Sequence, residues 1–236
     1  MKYMGSKNRH AKEILPIILN DRTQDQFYVE PFMGGCNSID KVGGNRIAND
    51  IHPHLVVLFK AIVDGWEPPN EISETEYHIA RNSKELTPLV GFIGFGCSYS
   101  GKWFGGYARG NDANGLPRNY ALETKKNLLS QRDKLRNVEF HNVGYDQFSI
   151  PNNSIIYCDP PYQGTTNYKT GNFNHYEFWN WCREKEKEGH SVFVSEYSAP
   201  EDFEILWSKK VNNTLVKNTG SKQGVEKLFR LKNVYL

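Results

Sequence analysis

Ile155-Ile156-Tyr157-Cys158-Asp159-Pro160-Pro161-Tyr162 is the stretch that decides the fold. Its apolar run reads as a buried strand, as found in parallel sheets covered on both faces. Such a strand delivers Asp159 to the carboxyl edge, where open α/β sheets bind their ligands. Pro160 and Pro161 fix φ and remove two N–H donors, which leaves a rigid turn with outward-pointing carbonyls. The Asp159 carboxylate and the Pro160 carbonyl can each accept one N–H of an exocyclic amine. The nitrogen lone pair is then drawn out of conjugation and aimed at an electrophile. Tyr162 offers a flat face on which a base can stack. The plainer alternative is a Pro-Pro loop with a hydrogen-bonded Asp.

Towards the N-terminus the same grammar repeats. Gln26 to Glu30 reads as a short strand running into the turn Pro31-Phe32-Met33-Gly34-Gly35, followed by a helix start at Asn37 to Lys41. Arg46 to Asn49 is a second strand closed by Asp50, and His54 to Asp64 is apolar at helical spacing. Ahead of these, Ala11 to Leu19 reads as a helix whose periodicity Pro16 interrupts. Gly34 and Gly35 carry no Cβ, so their backbone can approach a ligand closely. Asp50, at the tip of the next strand, suits a ribose. The pattern is not GxGxxG, so a mononucleoside-type cofactor such as S-adenosylmethionine fits better than a dinucleotide; an ordinary turn is the alternative.

Beyond a segment rich in Gly, Pro, Asn and aromatics, the α/β pattern returns. Leu122 to Leu135 reads as a basic helix, Val138 to Asn142 as a strand, Asn174 to Glu188 as a helix and Ser191 to Val194 as a strand. The expectation is a Rossmann-like α/β sheet, with residues 1–65 and 121–236 forming one catalytic domain and 66–120 an inserted recognition region.

Composition narrows the class. The chain has 236 residues, 38% hydrophobic, with 13 Phe, 13 Tyr and 5 Trp to build a core. No run approaches the ~20 apolar residues of a membrane span, so a cytoplasmic protein without membrane contact is expected. Cys36, Cys97, Cys158 and Cys182 are scattered without a CxxC pair, which argues against a metal site or a disulfide framework. The net charge is only +2, but residues 97–136 carry a local +5 and residues 207–236 a local +6, with Glu226 the sole acid of the second stretch. That asymmetry suits a polyanion laid across one face, or else two solvated helix faces.

Asp159-Pro160-Pro161-Tyr162 resembles the DPPY motif of amino-group DNA methyltransferases, and Glu30-Pro31-Phe32-Met33-Gly34-Gly35 the cofactor loop of the Dam-like, D12-class adenine methylases. Lys2-Tyr3-Met4-Gly5-Ser6-Lys7 is similar to that family's N-terminal cofactor motif. Val192 to Tyr197 resembles its later strand, and Lys222 to Leu228 its basic C-terminal segment. The motif order matches the alpha arrangement, and the compact size resembles stand-alone or phage-type enzymes. The resemblance implies methyl transfer from S-adenosylmethionine to adenine N6 in double-stranded DNA; a monomer is the default expectation, since one target strand is modified per event. It further implies that Tyr3, Lys7, Pro31, Phe32, Gly34, Gly35, Asp50, Tyr145, Asp146 and Asp159 surround the cofactor. Cys36 departs from the family's usual glycine or alanine.

The DNA-reading surface is expected in the insert, where Cys97 to Arg109 combines aromatics, glycines and cations in a hairpin. Tyr99 and Trp103 are candidates to fill the hole left by an extruded base, and Lys102, Arg109 and Arg118 to hold phosphates or guanine edges. A hairpin packing its aromatics on the core is the alternative. Lys209, Lys210, Lys217 and Lys222 suit phosphate contacts. His52 and His54 suggest a metal only weakly, and Phe173 is a second stacking candidate. An amino methyltransferase acting on cytosine N4, RNA or protein glutamine is the nearest competitor, although Asp at the first motif position favours adenine. A DNA-binding module that has lost catalysis is the competitor of a different class.

Overall fold

The computed structural model describes residues 1–164, 173–212 and 223–232. Among them, seven strands form one mixed sheet: β1 (Tyr28–Glu30), β2 (Arg46–Asn49), β3 (Val138–His141), β4 (Ile155–Cys158), β5 (Ser191–Glu196), β6 (Phe203–Asn212) and β7 (Gln223–Leu231). Their order is β3-β2-β1-β4-β5-β7-β6. The first five run parallel, and β7 and β6 pair antiparallel. The Rossmann-like sheet expected from the strand–turn–strand grammar is the sheet found. The order reverses between β1 and β4, so ligands are expected in the crevice beyond the carboxyl ends of those two strands.

Both faces of the central strands are buried, and alternate residues serve different layers. Tyr28, Ala48, Ile155, Tyr157, Phe193 and Leu228 face one core with helices α1 (Ala11–Ile18) and α2 (Pro53–Val63). Val29, Ile47, Ile156, Cys158, Val192 and Val194 face the other, shared with Phe178 and Cys182 of a helix over His175–Lys187. Asn174 caps that helix by accepting from the Glu177 N–H at 3.2 Å.

The helix read over Ala11 to Leu19 is α1, with Pro16 inside it, where the ring removes one backbone donor without ending the helix. One local reading needs correction. Asn37 to Lys41 supplies only a 3₁₀ turn over Ile39–Lys41. Val42 is extended, and Gly43 and Gly44 follow it, so nothing propagates the turn.

Residues 66–120 share the larger core. They contain α3 (Glu74–Asn82) and α4 (Pro88–Gly91), with a π-helical turn over Phe92–Gly96. Helix α3 begins with a capping box between Ser73 and Glu76. Tyr77, Phe92, Phe95 and Phe104 pack in one cluster with Leu55, Leu58 and Phe59 of α2. Next in sequence comes α5 (Tyr120–Arg132), whose Leu128 joins the same core. No helix among the described residues is long and apolar enough to cross a membrane.

Candidate active site

The carboxyl edge of the sheet gathers carboxylates. β1 ends on Glu30, β2 runs into Asp50, β4 into Asp159, and β5 ends on Glu196. Because β7 is antiparallel, its early residue Glu226 reaches the same edge, next to the Glu196↔Lys227 pair. Among the described residues, one cation answers these acids at close range. Lys7, whose side chain is 8% exposed, places Nζ 2.7 Å from Asp159 Oδ1 and 3.2 Å from Glu226 Oε1. The same ammonium donates to the Gly5 carbonyl at 3.2 Å and lies 4.7 Å from the centre of the Tyr162 ring.

Burial works against the charge on Lys7, but Asp159 and Glu226 outweigh it and raise its pKa. Asp159 is pushed up to about 6, chiefly by burial, with Lys7 opposing and Glu226 adding to the rise. Its side chain is 23% exposed, so the carboxyl opens to the crevice. The Tyr162 hydroxyl donates to Glu226 Oε1 and also lies against Asp159. The Tyr162 ring packs edge-on against Tyr197, centroids 4.7 Å apart. Burial lifts Glu196 to about 7; it accepts from the backbone N–H of Tyr197 at 2.8 Å and of Gln163 at 3.2 Å. Glu196 thereby ties down the chain leaving Pro160-Pro161-Tyr162.

A second acid is held differently. Asp50 Oδ2 accepts from the Gly34 N–H at 3.0 Å and Oδ1 from the His52 N–H at 2.9 Å. Burial pushes its pKa up to about 6, and these two N–H groups oppose the rise. Asn49 staples the neighbouring loops: its amide donates to the Pro31 carbonyl at 3.1 Å and the Val143 carbonyl at 3.0 Å, and its oxygen accepts from the Val143 N–H at 3.1 Å. Gly34 has φ +46°, and a Cβ there would stand 2.7 Å from the Tyr3 ring. A Cβ on Gly35 would meet Tyr3 Cβ at 2.8 Å. The glycines therefore serve to seat Tyr3 on the turn. Cys36 follows in the left-handed region at φ 53°, fully buried, which is where a family glycine would be unstrained.

Beside this turn, Phe32 sits 5.4 Å from Tyr145 and 5.8 Å from Phe173, forming an aromatic wall with Phe178. Asp146 is exposed, its carboxylate lying over Gly144. The structure thus gathers Tyr3, Lys7, Pro31, Phe32, Gly34, Gly35, Asp50, Tyr145, Asp159 and Tyr162 along one edge. Glu226 and Glu196 were not singled out from the sequence as site residues. One signal was available for Glu226, a single acid stranded among seven basic residues.

The insert residues divide. Tyr99 is 71% exposed, and Lys102 and Arg109 are exposed as well. Arg109 pairs with Glu74, and Arg118 pairs with Glu123 through Nε at 2.8 Å while lying over the Tyr120 ring. Trp103 is turned inward: it stacks on His54 at 4.7 Å, meets His52 at 4.5 Å and Phe95 at 4.7 Å, and fills the space a Cβ on Gly94 would need. The expected hairpin is closed by a single antiparallel bridge, Ser98↔Tyr107. Lys209 pairs with Glu13, whereas Lys217 and Lys222 lie outside the described residues. Among the described residues no group of three or more His, Cys, Asp or Glu could hold a metal ion, and the four cysteines are free and buried.

The residues present suit a cationic nucleoside cofactor. Asp50 offers a fixed acceptor beside a tight glycine turn, and the edge carries more buried carboxylates than cations. Comparison with known proteins agrees with this chemistry. A family model described as D12 class N6 adenine-specific DNA methyltransferase matches residues 3–87 and 106–232. The Type II methyltransferase M.FokI of Planomicrobium okeanokoites is 25% identical over 210 residues, covering 78% of this chain and 32% of that protein. The chain therefore spans about a third of that relative's length. Among solved structures, the tRNA methyltransferase TrmI of Aquifex aeolicus aligns over 94% of this chain and 68% of its own, at 10% identity and TM-score 0.40. A class I S-adenosylmethionine-dependent methyltransferase from Listeria monocytogenes aligns over 99% of this chain and 62% of its own, at 11% identity and TM-score 0.41.

Proposed function

The chain belongs to the D12 class of N6 adenine-specific DNA methyltransferases, and on that premise we propose that it transfers a methyl group from S-adenosylmethionine to N6 of an adenine turned out of duplex DNA. The observation that carries the reading is Asp159, delivered by β4 to the sheet's switch point, followed by Pro160 and Pro161 and braced by Lys7.

Tyr3, Phe32, Gly34, Gly35 and Asp50 would hold the cofactor, with Tyr145 and Asp146 at its far end. When bound, it supplies an electrophilic methyl on a sulfonium centre. Asp159, ionised above pH 6, accepts one N–H of the adenine amine, and the Pro160 carbonyl accepts the other. The nitrogen lone pair is then presented for attack, and the Asp159 carboxylate is placed to receive the proton that leaves afterwards. No base of raised pKa is needed beforehand. Tyr162 supplies the stacking surface for the extruded base. The exposed part of residues 66–120, with Tyr99, Lys102, Arg109 and Arg118, reads as the DNA-contacting element, and Lys222 as a phosphate contact.

Incubation with labelled S-adenosylmethionine and unmethylated genomic DNA, followed by nucleoside analysis, tests the reading. N6-methyladenine in one short sequence context is expected. N4-methylcytosine, or transfer to RNA alone, would overturn it.

A further inference from the structure

Glu226 reaches the reacting edge from outside the parallel sheet. It is buried on β7, and one of its oxygens, Oε1, accepts from both the Lys7 ammonium and the Tyr162 hydroxyl. Those two donors are the immediate neighbours of Asp159. With Lys7 also lying over the Tyr162 ring, Lys7, Tyr162 and Glu226 close a ring of contacts around that acid. We propose that Glu226 is a positioning residue for methyl transfer, sharing Lys7 and anchoring Tyr162 so that Asp159 remains available to the target amine. This rests on the reading of Asp159 as the amine's acceptor.

Two carboxylates compete for one ammonium. A buried ammonium facing a single carboxylate directs its hydrogens at that one group, since the ammonium has no water to turn to. At 2.7 Å from Asp159 and 3.2 Å from Glu226, Lys7 is divided between two carboxylates. Its hydrogens are thus partly satisfied elsewhere, and Asp159 keeps accepting capacity for an incoming N–H. Tyr162 donates to the same oxygen, a contact that helps set its ring plane, the surface a stacked base meets.

Among the described residues, the groups that face Asp159 are Lys7 from the N-terminal turn, Glu226 from β7, Tyr162 from its own loop, Tyr157 and Cys158 from β4, and, further off, Glu30 on β1 and Glu196 on β5. Of these, Glu226 adds negative charge that favours the protonated acid. Neutralising it therefore moves Asp159 towards lower pKa, an effect that mere loosening of the fold does not produce.

The test compares wild type, Glu226→Gln and Glu226→Asp for kcat across pH, with cofactor Kd measured separately. Glu226→Gln is expected to lower kcat at least tenfold, to change cofactor Kd less than threefold, and to shift the acid limb of the kcat profile to lower pH. Glu226→Asp keeps the charge but withdraws the oxygen; the limb is expected to stay while kcat remains low. A folded Glu226→Gln with kcat within twofold of wild type and an unmoved limb overturns the role. If Glu226→Gln does not fold, Tyr162→Phe removes the same hydrogen bond from its other end, and unchanged kcat there overturns it equally. Wild type that transfers no methyl group to adenine overturns the functional reading, and this proposal with it; active wild type beside indifferent variants overturns only the role of Glu226.

Discussion

The tips of β2 and β4 carry the same residue type at the same position, one step past the strand, and burial pushes both acids up to about 6. Their partners differ. Asp50 rests on two backbone N–H groups, neutral dipoles fixed by the Gly34 turn and by the start of α2. Asp159 rests on a lysine shared with a second carboxylate, and on a phenol. Backbone partners cannot move away, so Asp50 suits a binding role in which the acceptor geometry never changes. Side-chain partners can shift, so Asp159 suits a step during which charge and protons are redistributed.

That contrast is most exposed at Asp159 itself. Asp159→Asn puts an amide N–H₂ where an acceptor is needed, and kcat is expected to fall about 100- to 1,000-fold with cofactor binding retained, as when other preorganised polar groups are removed. Single-turnover transfer with a separate cofactor titration checks it; near wild-type turnover would erase the distinction between the two acids. Asp50→Ala is expected to do the reverse. Cofactor Kd should rise roughly 10- to 100-fold, in keeping with ~1.5–3 kcal/mol for hydrogen bonds to a charged group, while kcat at saturation changes far less. Calorimetric titration decides it.

A third change strikes both acids through the segment that joins them. Gly101, at φ +69°, has no room for a Cβ, which would lie 2.7 Å from the Lys2 carbonyl and 2.9 Å from Tyr3 Cα. Gly101→Ala is expected to destabilise the fold by about 1–3 kcal/mol, as overpacked sites do, and to weaken cofactor binding by displacing Tyr3 from Gly34. Denaturant unfolding with and without cofactor separates the two effects.

The smallest effect concerns Glu30, an acid on the same edge that accepts from the neutral Tyr28 hydroxyl. Burial pushes it up to about 8, against the pull of the Tyr28 hydroxyl, which donates at 2.9 Å. The folded state therefore holds a proton that the unfolded chain releases near 4.5, and this stabilisation is lost as pH climbs towards 8. Glu30→Gln cannot titrate, so its Tm relative to wild type is expected to rise steadily from pH 5 to pH 8. A flat difference would show that Glu30 is ionised in the fold at neutral pH.

Much of this site was legible because its determinants are local. Tyr157 to Tyr162 and Tyr28 to Gly35 each write a strand and the turn after it within eight residues, and Asp50 closes a strand of its own. Glu226 was hidden because its meaning depends on β7 being inserted between β5 and β6 and running backwards. No periodicity within Gln223–Leu231 encodes that neighbour. Helix α3 lies in the segment rich in Gly, Pro, Asn and aromatics, where no element was read, although Ser73 and Glu76 spell a capping box. Trp103 was expected as a candidate wedge; the glycine that makes space for it, Gly94, is nine residues away and meaningful only once the chain has folded.

On the proposed function, Gly94 and Gly101 also bear on how the enzyme could be given a new target sequence. Exchanging residues 66–120 for another reading element is not a surface graft, because the segment's underside is the bed for Trp103 and the seat of Lys2 and Tyr3. A donor element lacking small residues at those two places would lever the N-terminal segment off the glycine turn, and on the proposed function the hybrid would bind the methyl donor more weakly whatever DNA it met. If the proposed function holds, retargeting begins on the solvent side, at Tyr99, Lys102 and Arg109, with the two glycines left untouched.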